Sequence, residues 1–234
     1  MEILFSDEQI VLCIKAVGQD SEHDVPAALE GQLGGSFFPV HRLDQNVGGL
    51  MVYARTKAAA AALSKAVQEG TMVKEYVALV HGTPPESGDW TDFLFKDSSK
   101  NKVFVVKKER KGVKKARLEY TRLTDADPSL VRIRLHTGRS HQIRVQFASR
   151  GFPLVGDRKY GGKDDSPAPM LFSCRLTFPL SGETKSFEYL PEWARYWGPF
   201  FGENPPEKNI EFFKKPLDIS SIPMYNIQAV KQIC

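Results

Sequence analysis

The chain has 234 residues, 41% hydrophobic and 26% charged, with a net charge of +4 at pH 7. That is ordinary globular composition, which argues against a disordered or collagen-like chain, and a core of this size needs no disulfide or metal staples. No run reaches the ~20 apolar residues of a membrane span, the interrupted, acidic start MEILFSDEQIVLCIK is not a signal peptide, and Cys13, Cys174 and Cys234 form no disulfide framework, so a cytoplasmic protein is expected.

Residues Glu2 to Ile14 predict a hairpin or paired strands, and the polar stretch from Gly18 to Gly35 a loop with a short helix. Gly49 to Ala54 (GLMVYA) predicts a buried strand. Thr56 is the N-cap of a helix through Ala58, Ala62, Leu63, Ala66 and Val67, with Gly70 as its C′ residue. Val73 to Val80 (VKEYVALV) is a further strand, ended by Gly82 and the Pro84-Pro85 turn. Lys102 to Lys107, Ala116 to Thr121 and Leu130 to His136 predict antiparallel strands. In the last, Val131, Ile133 and Leu135 alternate with Arg132, Arg134 and His136, giving one buried face and one basic, wet face. Ser140 caps a helix through Ile143 and Phe147 that stops near Gly151, and Phe172 to Phe178 alternates as a strand. After Pro191 the composition turns aromatic and Pro-rich, with a short helix expected over Asn209 to Lys214. The expected fold is α+β, a largely antiparallel mixed β-sheet flanked by helices, not a doubly wound sheet.

Charge is unevenly placed. Between Lys96 and Arg117 stand ten Lys or Arg against two acids, which leaves the rest of the chain at −4. Such a segment is either a solvated basic hairpin or a surface for a polyanion. No GxGxxG follows a strand and no GxxxxGK[ST] is present, so nucleotide cofactors have no support. There is no HExxH, and His136 and His141 lie five apart across a Gly with no Cys or carboxylate beside them, so no metal site is expected.

Two segments stand out. His41-Arg42-Leu43-Asp44 lies in a loop directly before a buried strand; taken alone, Asp44 reads more readily as a turn residue than as a site carboxylate. Thr137-Gly138-Arg139-Ser140-His141-Gln142-Ile143-Arg144 runs from a basic-faced strand into a helix that must pack through Ile143 and Phe147. On that helix His141, Arg144 and Ala148 share a face, and a partly buried Arg144 requires an acidic partner, for which Asp44 is a candidate.

HRLD followed by GGLMVYART, then KEYVALVHG, then LHTGRSHQIRVQFASRGFPLVGDRKYGG, resembles the RluA-type RNA pseudouridine synthase family in block order and spacing, over roughly Ile3 to Leu190. The resemblance implies that Asp44 is the catalytic carboxylate, that Tyr76 stacks on the target base and that Arg144 pairs with Asp44. It implies that Arg42 helps hold the RNA and that Leu171 helps line the pocket. Arg139 and His141, within the GRSHQIR block, are further substrate-binding candidates. The family's Thr-Ser-Gly after the Asp is here Val47-Gly48-Gly49, and its Lys-Pro near the N-terminus is Lys15-Ala16. Many members carry an S4 domain in front, for which HRLD at His41 leaves no room. The expected organisation is a catalytic domain over 1–192 and a C-terminal extension over 193–234.

The implied reaction is the isomerisation of a uridine in ribosomal or transfer RNA: the N1–C1′ bond breaks, the base turns, and C5 bonds to C1′. No atom is gained or lost, so no cofactor is expected. The carboxylate acts as nucleophile or as base. The uracil must leave the stack to be reached, and an aromatic face such as Tyr76 is worth ~1–3 kcal/mol to a splayed base. Arg132, Arg134, Arg139 and the Lys96–Arg117 segment are the charges expected to meet phosphates. Membrane and protein partners are not implied, and a monomer is expected. The rival readings are an RNA-binding module of the same fold without catalysis, and a sugar hydrolase, which would need a second carboxylate such as Glu75 or Asp157 facing Asp44.

Overall fold

The computed structural model of the chain describes residues 1–195; the helix expected over Asn209 to Lys214 lies outside them. A single eleven-stranded sheet organises the described residues. Its strands are β1 (Glu2–Ser6), β2 (Ile10–Lys15), β3 (Phe38–Pro39), β4 (Gly48–Ala54), β5 (Val73–Val80), β6 (Ser87–Asp97), β7 (Lys102–Val106), β8 (Val113–Arg122), β9 (Ser129–Leu135), β10 (Leu171–Leu180) and β11 (Glu183–Glu188). The order is β1-β2-β4-β10-β5-β9-β8-β6-β7, with β11 on β10 and β3 on β4. Every pairing is antiparallel except the short β4–β10 contact, Phe172 with Gly48 and Ser173 with Gly49. The helices are α1 (Asp24–Leu33), α2 (Lys57–Gln68), α3 (Gln142–Ala148) and the single turn α4 (Glu192–Arg195). The α+β expectation holds.

The local rules worked where the pattern was periodic. Thr56 caps α2, its side chain accepting the Ala59 N–H at 3.1 Å, and Gly70 sits at φ +72° just past the helix, donating to the Val67 carbonyl, as a left-handed C′ residue does. Ser140, by contrast, does not cap α3. The N-cap is His141, left-handed at φ +52°, with no side-chain cap bond. Gln142 stabilises this entry: its Oε1 accepts from the Thr137 hydroxyl at 2.7 Å and from the Arg139 N–H at 3.1 Å. His141 therefore stands before the helix, and its direction is not set by the face that Arg144 and Ala148 share.

Both faces of the sheet are covered. On one, Val11, Cys13, Met51, Tyr53, Tyr76, Ala78, Val131 and Ile133 pack with α1 and with Ile143 and Phe147 of α3. On the other, α2 lays Ala59, Leu63 and Ala66 over Leu12, Leu50, Val52, Leu176 and Phe178, and Trp193 and Ala194 join Val77, Leu79, Phe172 and Cys174. The packed body thus continues past residue 192.

The sheet opens at Gly49. There β4 and β10 touch and then diverge, and a Cβ on Gly49 would lie 2.4 Å from the Ser173 nitrogen, on a backbone at φ +132°. Only glycine permits that approach. Where β10 has left β4, the Val52 N–H lacks a strand partner and donates instead to His41 Nε2 at 3.2 Å. The loop from His41 to Val47 is thereby pinned across the gap between two strands.

Candidate active site

Asp44 sits on that pinned loop. The Val47 N–H donates to the Asp44 carbonyl at 2.9 Å, making a turn, and the Gly18 N–H donates to the Gln45 carbonyl at 2.8 Å. The Ser21 hydroxyl bridges Leu43, accepting its N–H at 3.1 Å and donating to its carbonyl at 2.9 Å. Lys15, fully buried, donates from Nζ to the carbonyls of Ala16 at 3.0 Å and Gln45 at 3.1 Å. His41 is buried at the loop's start, and burial together with the nearby Lys74 charge pushes its imidazole down to about 3, so it serves as a neutral acceptor. Ser21 was not singled out from the sequence; Lys15 entered only as the match to the family's Lys-Pro and His41 only as the first residue of HRLD, neither with a role. Lys15 alone carried a local signal, a cation ending the apolar strand IVLCIK.

Burial lowers Lys15 from 10.5 to about 8 against the opposing pull of Asp44. The unfolded chain keeps this proton to about 10.5 and the folded chain releases it near 8, so between those values unfolding takes up a proton. Lys15 thus makes stability rise with pH across that window, by ~3 kcal/mol in all. Urea denaturation of wild type and Lys15→Met from pH 7 to 10.5 is expected to show wild type gaining stability relative to the variant as pH rises; a constant difference rejects the assignment.

The family resemblance implied that Arg144 pairs with Asp44, and the two meet: Arg144 Nη1 donates to Asp44 Oδ2 at 3.2 Å. The stronger partner of Arg144 is Asp157. Nε and Nη2 donate to its two oxygens at 2.7 and 2.8 Å, a bidentate pair in which Asp157 is 1% exposed. Burial alone would weaken the hold of the Arg144 guanidinium on its proton; Asp157, then Asp44, more than reverse this. Gly156 at φ +77° makes the turn that delivers Asp157, and the Asp157 carbonyl collects the N–H groups of Tyr160, Gly161 and Gly162. The Asp44 side chain, 24% exposed, remains open to the cleft.

That cleft, about 650 Å³, is lined by the loop, by Lys74 and Tyr76 of β5, by Leu171 of β10 and by the segment from Arg134 to Arg144. Tyr76 is nearly buried on the face of β5 that looks into it, and burial, then the Asp44 charge, pushes its phenol up, so the hydroxyl stays protonated. His141 Nε2 is 4.0 Å from Asp44 Oδ2, and its Nδ1 is 2.8 Å from the Tyr160 hydroxyl. Arg42 and Arg139 stand at the exposed rim. Arg42 donates to Glu22 at 2.9 Å and Arg139 to the Lys115 carbonyl at 3.0 Å. All seven residues proposed from the sequence, Asp44, Tyr76, Arg144, Arg42, Arg139, His141 and Leu171, thus line one cleft.

One expected charge lies elsewhere. Arg132 and Glu75 occupy the sheet face opposite Tyr76, since Tyr76 pairs with Ile133 and Glu75 with Arg134; Arg134, exposed near the strand's end, borders the cleft. Arg132 is tied to Glu75 by two bonds of 3.0 and 2.6 Å and to Glu188 at 3.4 Å; its charge is committed within the fold and is not available to an external phosphate. Glu75 on that far face and Asp157 locked on Arg144 also leave neither as the second carboxylate a hydrolase would need. His136 pairs with Glu119 at 2.9 Å and His141 with Tyr160, so the two histidines do not converge on a metal.

Asp44 is thus held by a buried guanidinium and open to a cleft that the near-buried Tyr76 also lines. Residues 18–149 match the model of the RNA pseudouridylate synthase family. An Aquifex aeolicus protein named as an uncharacterized RNA pseudouridine synthase is 33% identical over 220 residues, covering 80% of this chain and 68% of its own. The ribosomal large subunit pseudouridine synthase D of Zymomonas mobilis is 32% identical over 178 residues, covering 69% and 56%. The solved human RNA pseudouridylate synthase domain containing 4 has the same fold, with a TM-score of 0.71 at 22% identity over 88% of this chain and 95% of that one. The chain belongs to the RNA pseudouridylate synthase family, and within it to the RluA type. Several other curated relatives, from Chloroflexus aurantiacus, Zymomonas mobilis, Vibrio cholerae and Buchnera aphidicola, are matched over only 39% to 56% of their own lengths.

Proposed function

We propose that this chain isomerises a uridine of ribosomal RNA to pseudouridine, with Asp44 as the catalytic carboxylate. The observation that carries the reading is the chain of bonds from Asp157 through Arg144 to Asp44 Oδ2, which holds a partly exposed carboxylate in a cleft that Tyr76 also lines. The cleft falls within the ~300–1,000 Å³ of sites that enclose a small molecule, enough to admit a flipped nucleotide. Tyr76 offers its ring to the uracil face and a protonated hydroxyl to its edge, with Leu171 closing the apolar side. Asp44 then attacks C1′ or takes a sugar proton, and Arg144 opposes the charge that shifts as the N1–C1′ bond breaks. The freed base turns against Tyr76 and C5 bonds to C1′ as Asp44 leaves C1′ or returns the sugar proton; C5 then gives up its proton to solvent and N1 takes one up. Large-subunit ribosomal RNA is the substrate class because several similar proteins carry that target in their names.

Incubating the purified protein with RNA from cells lacking its gene, followed by carbodiimide labelling and primer extension, tests the reading. A new stop in large-subunit RNA supports it; RNA bound but never modified favours a non-catalytic RNA-binding module.

The basic segment is a three-stranded antiparallel finger, β6, β7 and the start of β8, with Lys107, Lys108, Lys111 and Lys114 exposed around its tip. Arg117 is already paired with Asp89 and Glu119. We assign the finger to phosphate contact. Changing the four exposed lysines to serine is expected to weaken RNA binding ~10-fold or more and to flatten its salt dependence by up to ~0.9 for each phosphate no longer neutralised. Unchanged affinity and slope in a filter-binding titration would remove the finger from the RNA interface.

A further inference from the structure

Tyr160 links the basic finger to the catalytic loop. Its hydroxyl oxygen accepts the Val103 N–H of β7 at 2.8 Å and lies 2.8 Å from His141 Nδ1. Its ring lies beneath Arg144, whose guanidinium carbon is 5.3 Å from the centroid, and Lys102 Nζ is 5.4 Å from the same centroid. The neighbouring Lys159 donates to the Asn101 carbonyl of the finger at 2.9 Å. Leu94, Val103 and Ala116 of the finger pack on Val145 of α3, with Tyr160 against them.

The hydrogen-bond pattern has a chemical consequence. A tyrosine hydroxyl has one proton and two lone pairs. With Val103 donating to the oxygen, the hydroxyl proton is available to the ring nitrogen of His141 beside it. An imidazole that accepts at Nδ1 carries its proton on Nε2, the nitrogen 4.0 Å from Asp44 Oδ2. We propose that Tyr160 is a positioning residue that holds His141 as the neutral Nε2–H tautomer pointing at Asp44, and that the finger, through the Val103 N–H, holds Tyr160 in place to do so. His141 then presents an uncharged N–H toward Asp44 Oδ2 from 4.0 Å, longer than a direct hydrogen bond, beside the 3.2 Å contact of Arg144 Nη1. The remaining charges facing the ring are Arg144, Lys159 and Asp157. Burial, with Arg144 and Lys159, outweighs the pull of Asp44 and lowers the affinity of His141 for a second proton. An imidazolium there would capture the carboxylate in a full ion pair. The role in catalysis rests on the function proposed above; the tautomer does not.

The test uses the whole protein labelled with ¹⁵N-histidine. Its five histidines are resolved by long-range ¹H–¹⁵N spectra, with His141→Gln for assignment. Wild type is expected to show His141 neutral near pH 7 with the proton on Nε2. Tyr160→Phe keeps the ring but removes the hydroxyl that favours the neutral form, so His141 is expected to lose its tautomer preference and to titrate about one pH unit higher. In single-turnover assays the variant is expected to be ~10-fold slower at pH 7, with its acid limb moved to higher pH and its RNA affinity within about twofold of wild type. An Nδ1–H tautomer in wild type, or an unmoved titration in the variant, overturns the proposal. A changed tautomer with unchanged rate and pH profile overturns the positioning role. If wild type modifies no RNA while the spectra behave as expected, the proposed function has failed and the Tyr160–His141 assignment stands.

Discussion

Asp44→Asn is expected to lower pseudouridine formation by at least ~10³-fold, measured as tritium released from RNA labelled at uridine C5. The label leaves because C5 gives up its hydrogen when it bonds to C1′. Asparagine keeps the size of the side chain and an oxygen for the Arg144 Nη1 contact, but it has no negative charge with which to attack C1′ or take a proton. The fold should tolerate the change. The Asp44 side chain is partly exposed, and Arg144 retains its bidentate pair with Asp157, so no buried charge is orphaned. RNA affinity and the unfolding midpoint are therefore expected to stay near those of wild type. A variant releasing tritium within tenfold of wild type would show that another group performs the chemistry.

Asp157→Asn is expected to do the reverse, acting first on stability. Arg144 and Asp157 are 5% and 1% exposed at their side chains, with two hydrogen bonds between them. Removing one charge from a buried pair leaves the other uncompensated, at a cost of ~3–5 kcal/mol, a large share of the ~5–15 kcal/mol that holds a domain folded. Urea denaturation at pH 7 should show this as a lower midpoint with little change in slope. Activity should fall as well, because Arg144, released from Asp157, no longer aims Asp44. The double variant Arg144→Gln with Asp157→Asn should lose less than the sum of the two single losses, the signature of directly interacting sites. Additive losses, or an Asp157→Asn midpoint equal to wild type, would mean that the pair does not organise the site.

Much of this protein was legible from its sequence. GLMVYA is a strand because six small or apolar residues in a row suit a position covered on both faces, and Thr56 and Gly70 bracket α2 because a hydroxyl cap and a left-handed glycine satisfy helix-end groups locally. Asp44, Tyr76 and Arg144 were named through the resemblance of their motifs to the RluA-type family; read alone, Asp44 looked more like a turn residue. What stayed hidden depends on neighbours distant in the chain. β6 (SGDWTDFLFKD) and β11 (ETKSFE) were not foreseen: their burial alternates, but the inward positions carry Gly88 and Asp92 beside Trp90 and Leu94, and Lys185 beside Phe187, so the sequence shows no apolar period of two. Arg132 reads as an exposed cation until the register of β5 on β9 sets Glu75 beside it. Asp157 reads as a turn residue until Gly156 folds it onto Arg144. Lys15, His41 and Tyr160 acquire roles only where a carbonyl, an unpaired strand N–H or the finger arrives. Periodicity and capping are short-range, so the sequence alone determined most of the elements, and the resemblance of its motifs pointed to the carboxylate. Which buried polar groups pair, and hence which charges remain for RNA, was decided by strand register and loop closure, because burial makes a partner necessary but only the assembled fold supplies one.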